Sequence, residues 1–251
     1  MRARKTISVD SFYDSISGFY DKMIDFEKNL ELRKNSYKNI FPLKGRVADL
    51  GCGIGLDSIA LSLNGLDVTA FDISPKMIAA AEQNAKRYNV NISTHVHSVQ
   101  TIPKSFNKKF NYVVTVGNTI AHLNSLDLKS VVRKMNDLLL PGGKIFLHIL
   151  NYELIKKQNK RISNITNREG KIIIRFYDFR NGDLDFNILS FPQNIPKEFQ
   201  LVTTKHYPHT KKVIVSYLKI AGFKKIKFMG DFQGIAYNVN TSKDLFMEAE
   251  K

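Results

Sequence analysis

The stretch RVADLGCGIG, residues 46–55, ends a compact apolar run in glycines at 51, 53 and 55 and then opens onto a helical pattern. A chain that turns this sharply needs glycine, and the helix start beyond it leaves backbone N–H groups free for a ligand. The same unit recurs to about residue 150. LDVTAF (66–71), NISTHVHSV (91–99), FNYVVTV (110–116) and GGKIFLHIL (142–150) read as strands, the last after a Pro-Gly-Gly break. Between them, Gly55 to Asn64 has helical spacing with Ile59, Ala60 and Leu63 on one side. SPKMIAAAEQNAKRY has Ser74 as N-cap and Pro75 at the first helical position, and LDLKSVVRKMNDLL is a third helix. Strands alternating with helices imply right-handed crossovers and a parallel sheet covered on both faces, a doubly wound α/β core.

Two regions leave this rhythm. Residues 1–45 read as two helices, with aromatics at Phe12, Tyr13, Phe19, Tyr20 and Phe26. Residues 171–191 alternate and turn at Asn181-Gly182-Asp183, the pattern of a hairpin, and QLVTTKHY (200–207) adds a third strand. A helix from about Lys211 to Ala221, a strand KKIKFMG and a final strand DLFMEAEK then restore the α/β pattern. The expected division is 1–45, a helical cap; 46–150, the α/β core; 151–208, a β-rich insertion; and 209–251, which completes the core. The insertion hangs on the carboxyl edge of the sheet, where open α/β folds place their ligands.

Composition narrows the class. The 251 residues suffice for a substantial core, and no stretch approaches the run of roughly 18 apolar residues that spans a membrane. The amino terminus has no apolar leader, so the chain reads as soluble and cytoplasmic. Cys52 is the single cysteine, which excludes an internal disulfide and a multi-cysteine metal site. The net charge of +15 is densest after residue 150, where KKQNKRISNITNR (156–168) holds basic residues and no acidic one. Such a patch can attract nucleic acid or anionic lipid, although a solvated basic surface accounts for it more simply.

The glycine loop departs from two known phosphate-binding loops. Leu56 stands where a dinucleotide fingerprint requires its third glycine, and the Gly-Lys-Ser/Thr ending of a triphosphate loop is absent. The loop therefore favours an uncharged nucleoside. Asp72 closes the second strand about 20 residues on, where a carboxylate can accept from both ribose hydroxyls. It could instead cap the following helix, but Ser74 fits that task better.

VADLGCGIG, FDIS and LLPGGKIFLHI together resemble the class I S-adenosylmethionine-dependent methyltransferases. GNTIAHL (117–123), NYE (151–153), HYPH (206–209) and GDF (230–232) are similar to words of the glycine/sarcosine N-methyltransferase branch, over nearly the whole chain. The resemblance implies a seven-stranded, mostly parallel Rossmann-like sheet with a small antiparallel insertion. It also implies S-adenosyl-L-methionine as cofactor, S-adenosyl-L-homocysteine as product, and a small-molecule amine as methyl acceptor.

By the same resemblance Gly51 and Gly53 line the methionyl part of the cofactor with Asp49 at its amino group. Met77 covers the adenine, Ser98 and Val99 border it, and the Val116 carbonyl lies near the methionyl amine. Arg33 clamps the cofactor carboxylate, a task suited to a guanidinium, or else lies on a solvated helix face. His122 borders that carboxylate or is a structural histidine. The reaction is an in-line displacement without metal, helped by positioning and exclusion of water. Tyr13, Tyr20, Tyr177 and Tyr207 are candidates to face the cationic cofactor, and Tyr152 joins the substrate side.

At the reacting centre Asn118 and the Gly117 carbonyl orient an amine without holding it as a charged pair, and His206 or His209 is a speculative base. The branch carries an arginine before Asn-Tyr that binds the substrate carboxylate, and here that residue is Leu150. Arg175 or Arg180 can replace it, or the substrate lacks the group. A methyltransferase acting on RNA or an anionic lipid headgroup, and a cofactor-binding protein without catalysis, remain as alternatives.

Overall fold

The computed structural model describes residues 6–42 and 44–251. The first five residues and Leu43, part of the expected 1–45 cap, lie outside the described residues. Four strands open the core: β1 (Arg46–Leu50), β2 (Asp67–Asp72), β3 (Ser93–Val96) and β4 (Phe110–Thr115). With β5 (Leu139–Leu150), β10 (Lys224–Met229) and β11 (Asp244–Glu250) they form a seven-stranded sheet in the order β10-β11-β5-β4-β1-β2-β3. Pairing is parallel from β3 through β5, and β11 runs antiparallel between β5 and β10. The expected fold class is therefore the observed one.

The order reverses at β1 and β4, and this opens a crevice beyond their carboxyl ends. Both strands are apolar because both faces are covered: Val47, Ala48, Leu50, Val113 and Val114 are fully buried. Burying each such side chain contributes about 1.5–3 kcal/mol, and Leu50→Ala would cost about 2–5 kcal/mol.

The helices that flank the sheet start where local chemistry directs. Ser74 Oγ accepts from Met77 N and Pro75 opens α5 (Pro75–Arg87), while the Asn124 side chain caps α6 (Ser125–Leu138). α4 (Leu56–Leu63) buries Ile59, Ala60 and Leu61, whereas Leu63, expected on the buried side, is exposed. α8 (Lys211–Ile220) is capped by Thr210.

Three local readings change. The Pro-Gly-Gly break falls inside β5: Phe110 pairs with Leu139 and Tyr112 with Lys144, so the ladder bulges there because proline cannot donate and Gly142 has φ 73°. The two expected amino-terminal helices are three, α1 (Val9–Ile16), α2 (Tyr20–Ile24) and α3 (Phe26–Ile40), with a 3-10 turn after α1 and Asp25 at φ 54° between α2 and α3. The basic stretch 156–168 holds the end of a short helix, α7 (Tyr152–Lys157), and a strand, β6 (Ile162–Arg168).

β6 joins β7 (Lys171–Phe179), β8 (Leu184–Pro192) and β9 (Gln200–His206) in a separate antiparallel sheet, order β6-β7-β8-β9. α1 is held to this sheet by Ile7 N donating to Thr203 O at 3.0 Å, and to α5 by Ser74 Oγ donating to Asp14 Oδ1 at 2.5 Å. Farther along, Arg168 pairs with Asp25 at 2.5 Å and Lys22 pairs with Glu169. The amino-terminal helices thereby bridge from the parallel sheet to the antiparallel one, over the crevice.

Candidate functional site

A cavity of about 760 Å³ fills that crevice. Its floor is the glycine loop. Gly51 N and Cys52 N donate to Phe71 O, which turns the loop across the end of β2. Asp72 then accepts from Gly53 N (2.8 Å) and from Ser74 N (2.9 Å). Burial pushes its carboxyl above the usual carboxylate range against the pull of these N–H groups. Gly53 has φ 54°, and a Cβ built there would meet nothing within 4 Å, so the backbone faces open cavity.

The second wall is the turn after β4. Gly117 has φ 77° with open space where a Cβ would stand. His148 Nδ1 accepts from the backbone N–H groups of both Gly117 and Asn118 at 3.2 Å, and His148 Nε2 lies 2.9 Å from Asp244 Oδ1. The turn is also held by HYPH: Tyr207 N donates to Ala121 O, and His209 Nε2 donates to Leu123 O.

The roof is aromatic. Tyr13 and Tyr20 meet edge to face at 6.0 Å, and Tyr13 Oη lies 2.8 Å from His122 Nε2. Burial raises both phenols, Tyr20 to about 12, and lowers His122 to about 4, so His122 is a neutral imidazole at pH 7. Its Nδ1 is buried without a partner among the described residues. At one end Arg33 Nε lies 3.0 Å from Asp57 Oδ1, although its N–H is not aimed well enough for a hydrogen bond. The Arg33 guanidinium stacks 3.6 Å above the Phe232 ring.

Of the expected site residues, the cavity brings together Tyr13, Tyr20, Arg33, Gly51, Gly53 and Asp72 with Ser98, Val99, Val116, Gly117, His122 and Arg175. Others are placed behind its walls. Asp49 accepts from Ser58 Oγ at 2.6 Å, and burial, then Asp57, pushes its carboxyl up to about 8. Met77 is fully buried in the core.

Asn118 sits at φ 72°, which turns its side chain inward: Nδ2 donates to Tyr152 Oη (2.7 Å) and Oδ1 accepts from Leu150 N (3.0 Å). Tyr152 Oη in turn lies 2.8 Å from His206 Nδ1. Asn118, Tyr152 and His206 are thus one buried relay beneath the turn, and Tyr177 packs against Tyr152. Burial, then His122, lowers His206 well below the usual range. Tyr207 meets the turn through its backbone, and Arg180 is paired with Asp185.

Sequence reasoning missed Asp57, Ile73, Asn164, Thr166 and Arg168, all of which line the cavity. Ile73 carried a readable signal, an apolar side chain directly after the acidic strand end. The residues of β6 carried none, because their strand was not recognised.

Residues 47–143 match a protein family described as a methyltransferase domain. The chain is 34% identical over 110 residues to a ubiquinone biosynthesis O-methyltransferase of Xanthomonas axonopodis pv. citri, covering 44% of this chain and 45% of that protein. The chain thus spans less than half the length of this curated relative. Among solved structures, a S-adenosylmethionine-dependent methyltransferase from Clostridium acetobutylicum superposes with a TM-score of 0.75 at 16% identity, over 95% of this chain and 98% of that one. The CcbJ methyltransferase from Streptomyces caelestis does so with a TM-score of 0.80 at 14% identity, over 97% and 98%. Residues 47–143 thus resemble a methyltransferase domain, and the chain as a whole has the fold of class I S-adenosylmethionine-dependent methyltransferases.

Proposed function

We propose that the protein is an S-adenosylmethionine-dependent methyltransferase acting on a small molecule, with an amine as the methyl acceptor. The observation that carries this reading is Asp72 beside Gly53, a carboxylate and an open glycine at the edge of one large cavity. When bound, S-adenosylmethionine supplies a methyl group on a sulfonium, open to in-line displacement.

The residues fit such a group. Asp72 has acceptor capacity left for ribose hydroxyls, and Ile73, Ser98 and Val99 offer a mostly apolar slot for a base. The carbonyl edge at Val116 and Gly117 and the guanidinium of Arg33 suit the amine and carboxylate of the amino-acid tail. The rings of Tyr13 and Tyr20 present faces or edges to a cation and exclude water from it.

Support for a neutral amine comes from the charges in the cavity wall. Asp25 and Asp57 are paired with arginines, Asp72 holds two backbone N–H groups, and Asp127 accepts from Asn124. An entering amine thus meets no spare carboxylate to trap it as an ammonium ion. The roof of helices favours a small acceptor over a polymer.

An oxygen acceptor is the second reading, favoured by the O-methyltransferase named above. That match covers less than half of this chain, so it bears less on the acceptor side, which includes the antiparallel sheet.

The test is calorimetric titration with S-adenosyl-L-homocysteine, followed by a mass-spectrometric screen of methyl transfer across amines, phenols, lipids and RNA. Binding with transfer to a small amine is expected. No binding would overturn the reading, binding without transfer would leave a cofactor-binding protein, and transfer to RNA lost steeply with salt would replace the acceptor class.

A further inference from the structure

The antiparallel sheet turns an unusual face to the cavity. Along β6 the alternate residues Asn164, Thr166 and Arg168 share one face and all line the cavity. Across the ladder Asn164 pairs directly with Arg175 of β7, which places Arg175 on that face beside it. Every one of these side chains offers a hydrogen-bond donor, and none carries negative charge.

The two arginines differ in one respect. Arg168 is held by Asp25 at 2.5 Å. Arg175 is half-buried, and its side chain makes no ion pair or hydrogen bond among the described residues. Apart from Asn164, its neighbours on that face are apolar or phenolic: Ile173 and Tyr177 along β7, and Ile188 opposite on β8, all buried. Asp178 lies on the other face of the strand. The Tyr20 phenol is close enough to feel the guanidinium, which offsets part of the rise caused by burial. A cation set among apolar side chains without a counter-ion is costly to hold and is stabilised by an anion that replaces its lost water.

We propose that the methyl acceptor carries a carboxylate or phosphate group, and that Arg175, with Asn164 and Thr166 beside it, binds that group. The inference rests on the methyltransferase reading and names its substrate class: a small molecule with a nucleophile at the Gly117 end and an anionic group at the β6–β7 end.

The experiment compares matched probes: glycine with glycinamide, phosphoethanolamine with ethanolamine, and 4-hydroxybenzoate with 4-hydroxybenzamide. Methyl transfer is measured for wild type, Arg175→Gln and Arg175→Lys, and S-adenosyl-L-homocysteine affinity is measured in parallel. The expected result is transfer to, or competitive binding of, the anionic member of a pair only. Arg175→Gln then raises KM for that member about 30-fold or more, Arg175→Lys recovers part of the loss, and S-adenosyl-L-homocysteine affinity is unchanged. The carboxylate and phosphate pairs tell the two anions apart.

Equal use of charged and neutral members, or an unchanged KM in Arg175→Gln, would overturn the proposal while leaving the methyltransferase reading intact. A parallel loss of S-adenosyl-L-homocysteine affinity would also overturn it, by placing Arg175 on the cofactor's own carboxylate. Failure of wild type to bind S-adenosyl-L-homocysteine would instead remove the underlying reading.

Discussion

Asp244 fixes the proton on His148. Because His148 Nδ1 accepts from the backbone N–H groups of Gly117 and Asn118, its proton sits on Nε2, which donates to Asp244 Oδ1 at 2.9 Å. The last strand of the sheet thereby sets the position of the turn that faces the ligand. His148→Phe leaves two backbone donors without an acceptor and is expected to cost about 1–3 kcal/mol for each that stays buried, read from urea denaturation. Asp244→Asn keeps an acceptor at that place and is expected to cost less. A His148→Phe variant as stable as wild type would show that the turn holds itself.

Asp72→Ala removes both the ribose acceptor and the partner of Gly53 N and Ser74 N. S-adenosyl-L-homocysteine affinity is expected to fall by about 30-fold or more, with stability lower by about 1–3 kcal/mol. Calorimetry on folded protein separates the two effects, and wild-type affinity would remove Asp72 from the nucleoside site.

His122 should make stability depend on acid. Its folded value of about 4 lies below the ordinary 6.5, so the unfolded chain takes up the proton first. The stability involved is present above about pH 6.5 and is lost as pH falls toward 4. A shift of this size corresponds to about 3 kcal/mol, and His206 acts in the same direction. Urea midpoints for wild type and His122→Gln should converge between pH 7 and pH 4.5. Parallel curves would mean that His122 keeps an ordinary value.

Asp49 works with the opposite sign. Its carboxyl is raised in the fold, so the stability it contributes is present below about pH 4 and is lost as pH rises toward 8. Asp49→Asn keeps an acceptor for Ser58 Oγ and is expected to be more stable than wild type at pH 8, with the difference vanishing in acid. A variant less stable at pH 8 would show that the charge itself is needed there.

The parallel core could be read from sequence because its strands are buried on both faces and its helices carry their own start signals, Ser74 with Pro75 most plainly. β6 could not. ISNITNR lies at the sheet edge, mostly exposed, so no apolar alternation marks it, and the cavity residues it brings stayed hidden among basic ones. Asn118 illustrates a second limit. Its place after β4 was legible, but the left-handed backbone that turns its amide toward Tyr152 belongs to the folded turn. Arg175 was legible as a candidate for the missing carboxylate anchor, but its place beside Asn164 on the cavity face belongs to the folded sheet.

The ties between Asp25 and Arg168 and between Lys22 and Glu169 have a consequence for timing. All four side chains are partly open to water, so each pair contributes no more than about 1 kcal/mol and is screened by salt. The helices above the cavity are therefore fastened weakly at this edge, beside the left-handed turn at Asp25. Residence times of bound ligands should shorten as ionic strength rises, even where equilibrium contacts deep in the cavity are unchanged. The rim would then act as a clock for ligand exchange, set by the solution around it.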